Sequence, residues 1–237
     1  MDDLLSEKEQ IEQIRTWWSE YGGYVIGGLG LGIAILAGYN FYQNSRMEAQ
    51  AGGSAAYETL IGHVVSGELE AAEAVADSIE TEYADTAYAA QARLAMARMF
   101  MEKNRDQDAA DVLRELLDSD AEVAVKHVAR TRLARILLYE DNPQAVVDLL
   151  EGQESEAFAA TWNELLGDAY SALGRIDDAE AAYQKVLLDP MAQATVNQQL
   201  VQWKVLDLPQ QPTNVGEPAP AAEPAGEPAA EQAEDGE

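Results

Sequence analysis

Hydrophobic and polar residues follow two different patterns along the chain, and the change between them lies near residue 50. Residues 21–45 carry no charged side chain. Because a helix rises about 1.5 Å per residue, about 20 residues are enough to cross a hydrocarbon core of about 30 Å. From residue 51 onward, apolar residues recur at helical spacing, without the alternation typical of strands. The two patterns predict an all-α protein with one N-terminal transmembrane helix, a helical-repeat solenoid and a disordered acidic tail.

The uncharged stretch is bounded at both ends by aromatic side chains, which favour the two membrane–water interfaces. These aromatics are Trp17, Trp18, Tyr21 and Tyr24 on one side, and Tyr39, Phe41 and Tyr42 on the other. The alternative is a cleaved signal peptide, since Ala49-Gln50-Ala51 resembles a cleavage site. The segment before the stretch, however, has twenty residues and is net acidic, whereas a signal peptide begins with a short basic region. We therefore predict a retained anchor over residues 21–45.

Small residues recur within the anchor at spacings of three and four. They form a stripe along one face, which consists of Gly23, Gly27, Gly30, Ala34 and Gly38. Such stripes let two membrane helices approach closely, so they predict a helix-packing face. The alternative is that Gly is simply common in membrane helices.

Residues 1–20 are predicted to form a short amphipathic helix on the cytoplasmic surface. Ser6 and Glu9 have the spacing of a capping box, and apolar residues fall on one helical face after them. Lys8 and Arg15 precede the anchor, whereas Arg46 follows it. Because positive charge favours the cytoplasmic side, the N-terminus is expected in the cytoplasm and the repeats on the other side.

The body of the chain, residues 51–208, contains an internal repeat, most clearly in "NELLGDAYSALGRIDDAEAAYQKVLLDP". This unit resembles the tetratricopeptide pattern of two antiparallel helices. The positions that carry it are Leu166, Gly167, Tyr170, Gly174, Ala179, Tyr183 and Pro190. Gly167 and Ala179 are small where the paired helices are expected to cross, and the two tyrosines are expected to fill the space between helices. Asn163 stands where the pattern expects Trp, with Trp162 beside it.

Three weaker copies precede this unit. Leu60, Ala97, Ala134 and Gly167 are taken as equivalent, with spacings of 37, 37 and 33 residues, which bracket the usual period of about 34. In the third copy Ala145 and Leu149 fit the pattern if the turn is one residue shorter. A linker, "MEAQAGGS", is expected before the repeats, and a final helix over residues 191–206 is expected to cover the end of the stack.

The chain is strongly acidic, with 43 acidic residues against 15 basic ones and a formal charge of −28. Such a surface repels the phosphates of nucleic acid, so a nucleic-acid partner is not expected. There is no Cys, which excludes disulfides and thiol chemistry. Residues 209–237 are rich in Pro, Ala and Glu, with seven acids and no base, and are predicted to be disordered.

No catalytic, cofactor or metal site is expected. His63 and His127 lie on separate repeats without a partnering motif, so each is interpreted as a helix-face residue. The common nucleotide, hydrolase and metalloprotease motifs are missing from the sequence. Asp177 and Asp178 follow a repeat turn and suit a helix N-terminus, where the dipole favours negative charge. The pattern therefore indicates neither an enzyme nor a small-molecule binder.

One group of bases stands out against the acidity. The segment "KHVARTRLAR" places Lys126, Arg130, Arg132 and Arg135 on one helix. One interpretation is neutralisation within the chain by acids of the preceding repeat, for which the candidates are Asp111, Glu115 and Asp118. The other is a basic strip in the groove of the solenoid that binds an acidic partner.

The order of these features resembles the YfgM family of Gram-negative bacteria. The features are the acidic lead-in "SEKEQIEQIRTWWSEYG", a Gly-rich anchor, "ARMFMEKN" in the second repeat and the spacing around residues 133–135. The resemblance implies a tetratricopeptide-like ancillary subunit of the SecYEG translocon. It also implies a single-pass inner-membrane protein with periplasmic repeats, associated with SecYEG and with a PpiD-type periplasmic chaperone.

Two other functions remain open at this point. The same repeats would suit an assembly factor for another envelope complex, in division or cytochrome maturation. Alternatively, the N-terminal helix, residues 4–18, would act as a regulator of a cytoplasmic signalling protein.

Overall fold

The computed structural model describes residues 7–209, all of whose regular structure is helical. The α-helices are α1 (Glu7–Ser66), α2 (Leu69–Glu82), α3 (Ala87–Glu102), α4 (Asp106–Asp118), α5 (Val123–Tyr139), α6 (Pro143–Leu150), α7 (Ala159–Ala172), α8 (Ile176–Leu188) and α9 (Gln198–Asp207). A short 3₁₀ helix, Ala192–Ala194, precedes α9. The all-α prediction is confirmed. The predicted disordered tail lies outside the described residues from position 210, and so does Ser6 of the predicted capping box.

Helix α1 is continuous over 60 residues, a length of about 90 Å at 1.5 Å per residue. It includes the predicted lead-in and anchor as well as the first helix of the first repeat. The predicted linker was therefore wrong, since "MEAQAGGS" is helical throughout. Its two glycines are sites of close packing: a β-carbon at Gly52 would lie 2.6 Å from the Tyr83 ring, and one at Gly53 would lie 3.1 Å from Thr86 Oγ1.

The repeats stack as pairs of antiparallel helices: the end of α1 with α2, α3 with α4, α5 with α6, and α7 with α8. The first helices of neighbouring pairs pack directly on one another, more closely than the second helices do. We call α1, α3, α5 and α7 the inner layer and α2, α4, α6 and α8 the outer layer. Ala, Leu and Val side chains from both layers form one continuous core.

In each helix pair, the turn between the two helices contains one residue whose backbone is in the left-handed region. These four residues occupy the same position in their repeats. Their φ values are 73° at Gly67, 57° at Asn104, 57° at Asp141 and 72° at Gly174. In each turn the following residue donates its amide to a carbonyl five residues earlier, over 2.8–3.0 Å. This is the 6→1 bond of a Schellman motif, which satisfies a carbonyl at the helix end.

These turns correct the alignment of the third repeat. Asp141 lies seven residues after Ala134, as Gly174 lies seven after Gly167, so the third turn is not shorter. On α6 the repeat pattern consequently falls on the buried Val146 and Leu150 rather than on Ala145 and Leu149, and Val147 is buried as well. The larger Val occupies the crossing position that Ala fills in the other repeats.

The fourth repeat packs as its sequence indicates. Gly167 of α7 faces the ring of Tyr183 of α8, and Ala179 is fully buried. Trp162 is buried, and its indole nitrogen donates to Thr131 Oγ1 over 2.8 Å. Trp162 thus joins the third and fourth repeats, while Asn163 donates to the carbonyl of Ala159 in its own helix.

The end of the stack is covered by α9, which is shorter than the predicted helix. Residues 195–197 separate it from the 3₁₀ helix, and the Asn197 side chain caps it by accepting from the amides of Gln199 and Leu200. Lys204 donates to Glu164 and Asp168 of α7, both over 2.8 Å. This pair of contacts fixes α9 against the inner layer.

Candidate partner-binding surfaces

Three arginines of the inner layer lie close together, and we call Arg98, Arg132 and Arg135 the inner arginine cluster. Arg132 of α5 reaches across to α3, where its Nη1 donates to the carbonyl of Leu94 over 2.9 Å. Burial lowers the pKa of Arg132, and the positive charges of Arg98 and Arg135 act in the same direction. Arg98 and Arg135 are solvent-exposed and occupy equivalent positions in consecutive repeats. The cluster is therefore a local concentration of positive charge on an accessible face.

The expected neutralisation of the four predicted bases is not observed. Among the described residues, Lys126, Arg130, Arg132 and Arg135 form no ion pair with a carboxylate. Asp111, one of the expected partners, instead accepts from Arg114 of its own helix over 2.6 Å and from Gln107. In the part of the chain that the structure describes, Arg98 is the one member of the cluster with a carboxylate partner, Glu102, at 2.8 Å in an exposed pair.

The four bases do not share one face of α5. Lys126 and Arg135 are nine residues apart, about two and a half helical turns, so they project from opposite sides. Arg130 lies beside Trp162, with its guanidinium carbon 5.9 Å from the ring centroid. Its Nε is buried and has no hydrogen-bond partner among residues 7–209, and burial lowers the pKa of this arginine. Only Arg132 and Arg135 of the predicted strip belong to the inner arginine cluster.

Sequence reasoning missed Arg98, although the repeat contained the signal that finds it. Arg98 precedes Arg135 by 37 residues, which is the local repeat period. The same comparison explains the unpaired Arg130. Its equivalent, Arg93, pairs with Glu80 of the preceding outer helix over 2.9 Å. The position equivalent to Glu80 in the next repeat is Leu117, so Arg130 has no carboxylate there.

His127 belongs to an aromatic group at the contact between α5 and α7. Its ring lies edge-on to Phe158 and to Trp162, with centroid distances of 5.4 and 4.9 Å. Burial lowers its pKa, and the nearby charge of Arg130 lowers it further. His63, in the first repeat, instead contacts Glu68 through Nδ1 at 2.6 Å. Over the described part of the chain, no group of three His, Asp or Glu side chains is arranged to hold a metal ion.

A cavity of about 570 Å³ opens between the loop after α6 and the last repeat. Its walls include Glu151, Glu154 and Glu156 of the loop, Tyr170 of α7 and Lys185 of α8. It exists because α6 has 8 residues where α4 and α8 have 13, so a whole helical turn is replaced by loop. The charged residues of the lining are mostly acidic, like those of the rest of the domain.

The stripe of small residues on α1 faces open space. A β-carbon at Gly23, Gly27, Gly30 or Gly38 would meet no atom within 4 Å. Within the described residues α1 is the one helix long and apolar enough to cross a membrane, and its apolar segment is not buried against other parts of the protein. The stripe is thus available to a neighbouring helix.

Comparison with known protein families agrees with this architecture. A family model described as "Tetratricopeptide repeat-like domain" matches residues 15–210, which is most of the chain. The chain belongs to the tetratricopeptide repeat-like domain family. The match includes the apolar part of α1 together with the stacked pairs. No solved structure matches this tetratricopeptide repeat-like protein.

Three similar proteins carry the name "Ancillary SecYEG translocon subunit". The protein of Escherichia coli strain K12 is 26% identical over 187 residues, covering 78% of this chain and 88% of its own. That of Aggregatibacter actinomycetemcomitans is 23% identical over 209 residues, 86% and 98% of the two chains. That of Haemophilus influenzae is 34% identical over 64 residues, 27% and 31%.

These matches confirm two predictions made from the sequence. The resemblance to the YfgM family of ancillary translocon subunits holds over most of the chain. The family model is described as a tetratricopeptide repeat-like domain and the relatives as ancillary translocon subunits, which are descriptions of a repeat adaptor rather than of an enzyme. Together with the apolar helix, they fit a single-pass inner-membrane protein.

Proposed function

We propose that this protein is a membrane-anchored periplasmic scaffold of the SecYEG translocon, which assists translocated proteins together with a PpiD-type chaperone. The observation that carries the proposal is the shared name of relatives that align with 78% and 86% of the chain. A cytoplasmic N-terminus is supported by Lys8 and Arg15 before the anchor, against Arg46 alone just after it.

The small-residue stripe is the proposed contact with membrane helices of the translocon or of the chaperone. Helix association within lipid depends on close packing, which small side chains permit. Gly27 and Gly30 lie at the centre of the stripe and face open space. Gly28 and Gly32 are equally open but project from another side of α1, about a third of a turn or more away.

The inner layer is the proposed contact with a soluble partner or an emerging chain. Solenoids bind extended partners along such a surface through shape and a few charges, without reactive groups. The inner arginine cluster supplies charge to attract a carboxylate, and the continuous α1 holds this surface close to the membrane. Lys126 and Arg130, on the other side of α5, form a separate possible contact for a partner.

Co-purification tests the proposal. Native membranes containing a chain tagged at Glu237 are solubilised in a mild detergent, and the retained proteins are identified by mass spectrometry. We expect SecYEG and a periplasmic prolyl-isomerase-like chaperone. Recovery of a division or cytochrome-assembly complex without either of them would contradict the proposal and favour a different assembly role.

Paired glycine variants test the contribution of the stripe. Gly27→Leu with Gly30→Leu is expected to reduce recovery of the membrane partners, because the larger side chains prevent close approach. Gly28→Leu with Gly32→Leu adds the same bulk on another face and is expected to leave recovery unchanged. If both pairs of substitutions reduced recovery equally, the small-residue stripe would not be the face that contacts the membrane partners.

A further inference from the structure

The inner arginine cluster is an isolated positive site on a strongly acidic domain. Residues 51–208 carry 29 acidic and 12 basic side chains, a net charge of −17. The cluster combines Arg98 from α3 with Arg132 and Arg135 from α5, and of these only Arg98 contacts a carboxylate among the described residues. Guanidinium groups in a fixed arrangement bind carboxylates well, because each offers several donors in one plane.

The chain itself contains a segment of complementary charge. Residues 210–237 hold seven acids and no base. The segment begins just after α9, whose Lys204 is bonded to α7 of the inner layer. Packed helices lie about 8–10 Å apart, so α5 is about 20 Å from α9 across α7. Twenty-eight residues extend to about 90 Å at most, so the cluster is well within reach.

Covalent attachment favours this segment over an acidic partner from outside. A separate acidic protein must approach through the field of a domain with charge −17, which opposes the encounter. An attached segment is present at an effective concentration of about millimolar, so even weak contacts keep it bound for part of the time. The same field repels the segment from the rest of the surface and leaves the arginines as its favoured position.

We propose that the acidic segment 210–237 binds across Arg98, Arg132 and Arg135 of the inner layer. This inference rests on the proposed function in one respect, because the inner layer is also the surface that the proposed function assigns to a soluble partner or an emerging chain. Binding of the segment is nevertheless a property of the isolated chain, so it is measured without SecYEG or any chaperone.

Cross-linking within the full-length protein tests the contact. The natural chain has no Cys, so two introduced cysteines are the only thiols. Tyr139→Cys places one thiol four residues after Arg135 on an exposed position, and Gly226→Cys places the other in the acidic segment. The initial rate of joining by a short bis-maleimide is measured in detergent at low salt. We expect a monomeric cross-linked product.

Two comparisons make the result specific. Arg98→Gln with Arg135→Gln is expected to slow the cross-link about fivefold, as is expected when two exposed ion pairs are lost. Arg114→Gln with Lys185→Gln removes the same charge from exposed outer-layer positions and is expected to change little. In a second comparison, Gln107→Cys on the outer-layer helix α4 replaces Tyr139→Cys. Its rate of cross-linking to Gly226→Cys measures how often the attached segment meets a surface for which no binding is proposed.

The outcomes distinguish this contact from the proposed function. Equal rates at positions 139 and 107, or no response to the inner arginine pair, would overturn the inference. A dimeric product would also overturn it, because the segment would then bind a second copy. None of these results bears on which proteins are retained with the tagged chain. Loss of the translocon partners, in turn, would leave the cross-linking result unchanged.

Discussion

The ring of Tyr183 lies against the backbone of Gly167, in the space that a β-carbon at position 167 would occupy. This contact brings α7 and α8 together at their crossing point. It also allows the Tyr183 hydroxyl to reach Asp168, to which it donates over 2.7 Å. A single small residue therefore determines both the packing of the pair and the position of a partly buried hydrogen bond.

Gly167→Ala is expected to destabilise the fourth repeat by about 1–3 kcal/mol, as other overpacked cores are. The added methyl overlaps the Tyr183 ring, and this outweighs the gain in helix propensity of up to about 1 kcal/mol. Chemical denaturation of the full-length protein in detergent, followed by circular dichroism, measures the change.

Gly62→Ala is the matched control for this substitution. Gly62 is also helical, but a β-carbon there meets nothing within 4 Å. Its replacement is expected to be neutral or to stabilise by about 0.5–1 kcal/mol. A destabilisation of similar size at both positions would mean that overlap with Tyr183 is not the cause.

Thr131 and Trp162 are expected to be energetically coupled. Trp162 Nε1 donates to Thr131 Oγ1, and Thr131 in turn donates to the carbonyl of His127 over 2.8 Å. Thr131→Val leaves the indole N–H buried without a partner, at a cost of about 1–3 kcal/mol. Once Trp162 is Phe, that N–H is gone, so Thr131→Val is expected to cost less in the double variant.

A double-mutant cycle from urea unfolding measures this coupling. We expect a coupling energy of about 0.5–2 kcal/mol, within the range for groups in direct contact. If the effects of the two substitutions were strictly additive, the Trp162–Thr131 hydrogen bond would not contribute to the contact between the third and fourth repeats.

Stability is expected to fall as the pH rises above about 10. Burial and the hydrogen bond to Asp168 raise the pKa of Tyr183. Burial opposes protonation of Lys204, but its bonds to Asp168 and Glu164 outweigh burial and raise its pKa as well. The folded state thus holds both protons at pH values where the unfolded chain, with pKa values near 10, releases them. The contribution is complete below those values and is lost as the pH rises through the folded ones.

Urea unfolding between pH 8 and pH 11 tests this dependence. Tyr183→Phe removes one of the two titrating groups and is expected to flatten the decline. Tyr139→Phe changes an exposed ring and serves as the control. Lys204→Met is expected to cost about 1.5–3 kcal/mol at pH 8, because two partly buried carboxylates lose their charged donor. If Tyr183→Phe left the pH dependence of stability unchanged, the loss of stability at high pH could not be assigned to Tyr183.

The continuity of α1 predicts a rigid connection between membrane and repeats. Spin labels on Ser45→Cys and Val65→Cys, both exposed, are expected to give one narrow distance distribution near 30 Å, at about 1.5 Å per residue. Insertion of Gly-Gly-Ser-Gly after Met47 is expected to broaden it. Labels on Val65→Cys and Val123→Cys lie beyond the insertion and should be unaffected by it. A broad distribution without the insertion would contradict a continuous helix.

Individual residues show where sequence reasoning succeeded and where it did not. Gly167, Ala179 and Tyr183 were assigned correctly because their sizes match positions in a repeat of known geometry. Gly52 and Gly53 were misassigned to a linker, because glycine also marks flexible segments. Their packing role depends on Tyr83 and Thr86, which reach them only after α2 has folded back along α1.

For the basic residues of α3 and α5, too, the sequence predicted some features correctly and others not. The period of 37 residues was visible in the sequence and was sufficient to show that Arg98 and Arg135 occupy equivalent positions in consecutive repeats. The separation of Lys126 from Arg135 also follows from helical geometry. The neutralising role expected of Asp111 failed, because a surface carboxylate pairs with the nearest base, here Arg114 of its own helix.

The sequence by itself determined the class of the protein: an apolar helix, repeated helical pairs and an acidic surface, since each depends on local composition and period. Only the tertiary structure decided that α1 runs unbroken from the membrane segment into the first repeat, and that Arg132 crosses to Leu94 beside Arg98. Both depend on distances between residues far apart in the chain. Those distances are set by how side chains such as Tyr83 and Trp162 fill the space between helices.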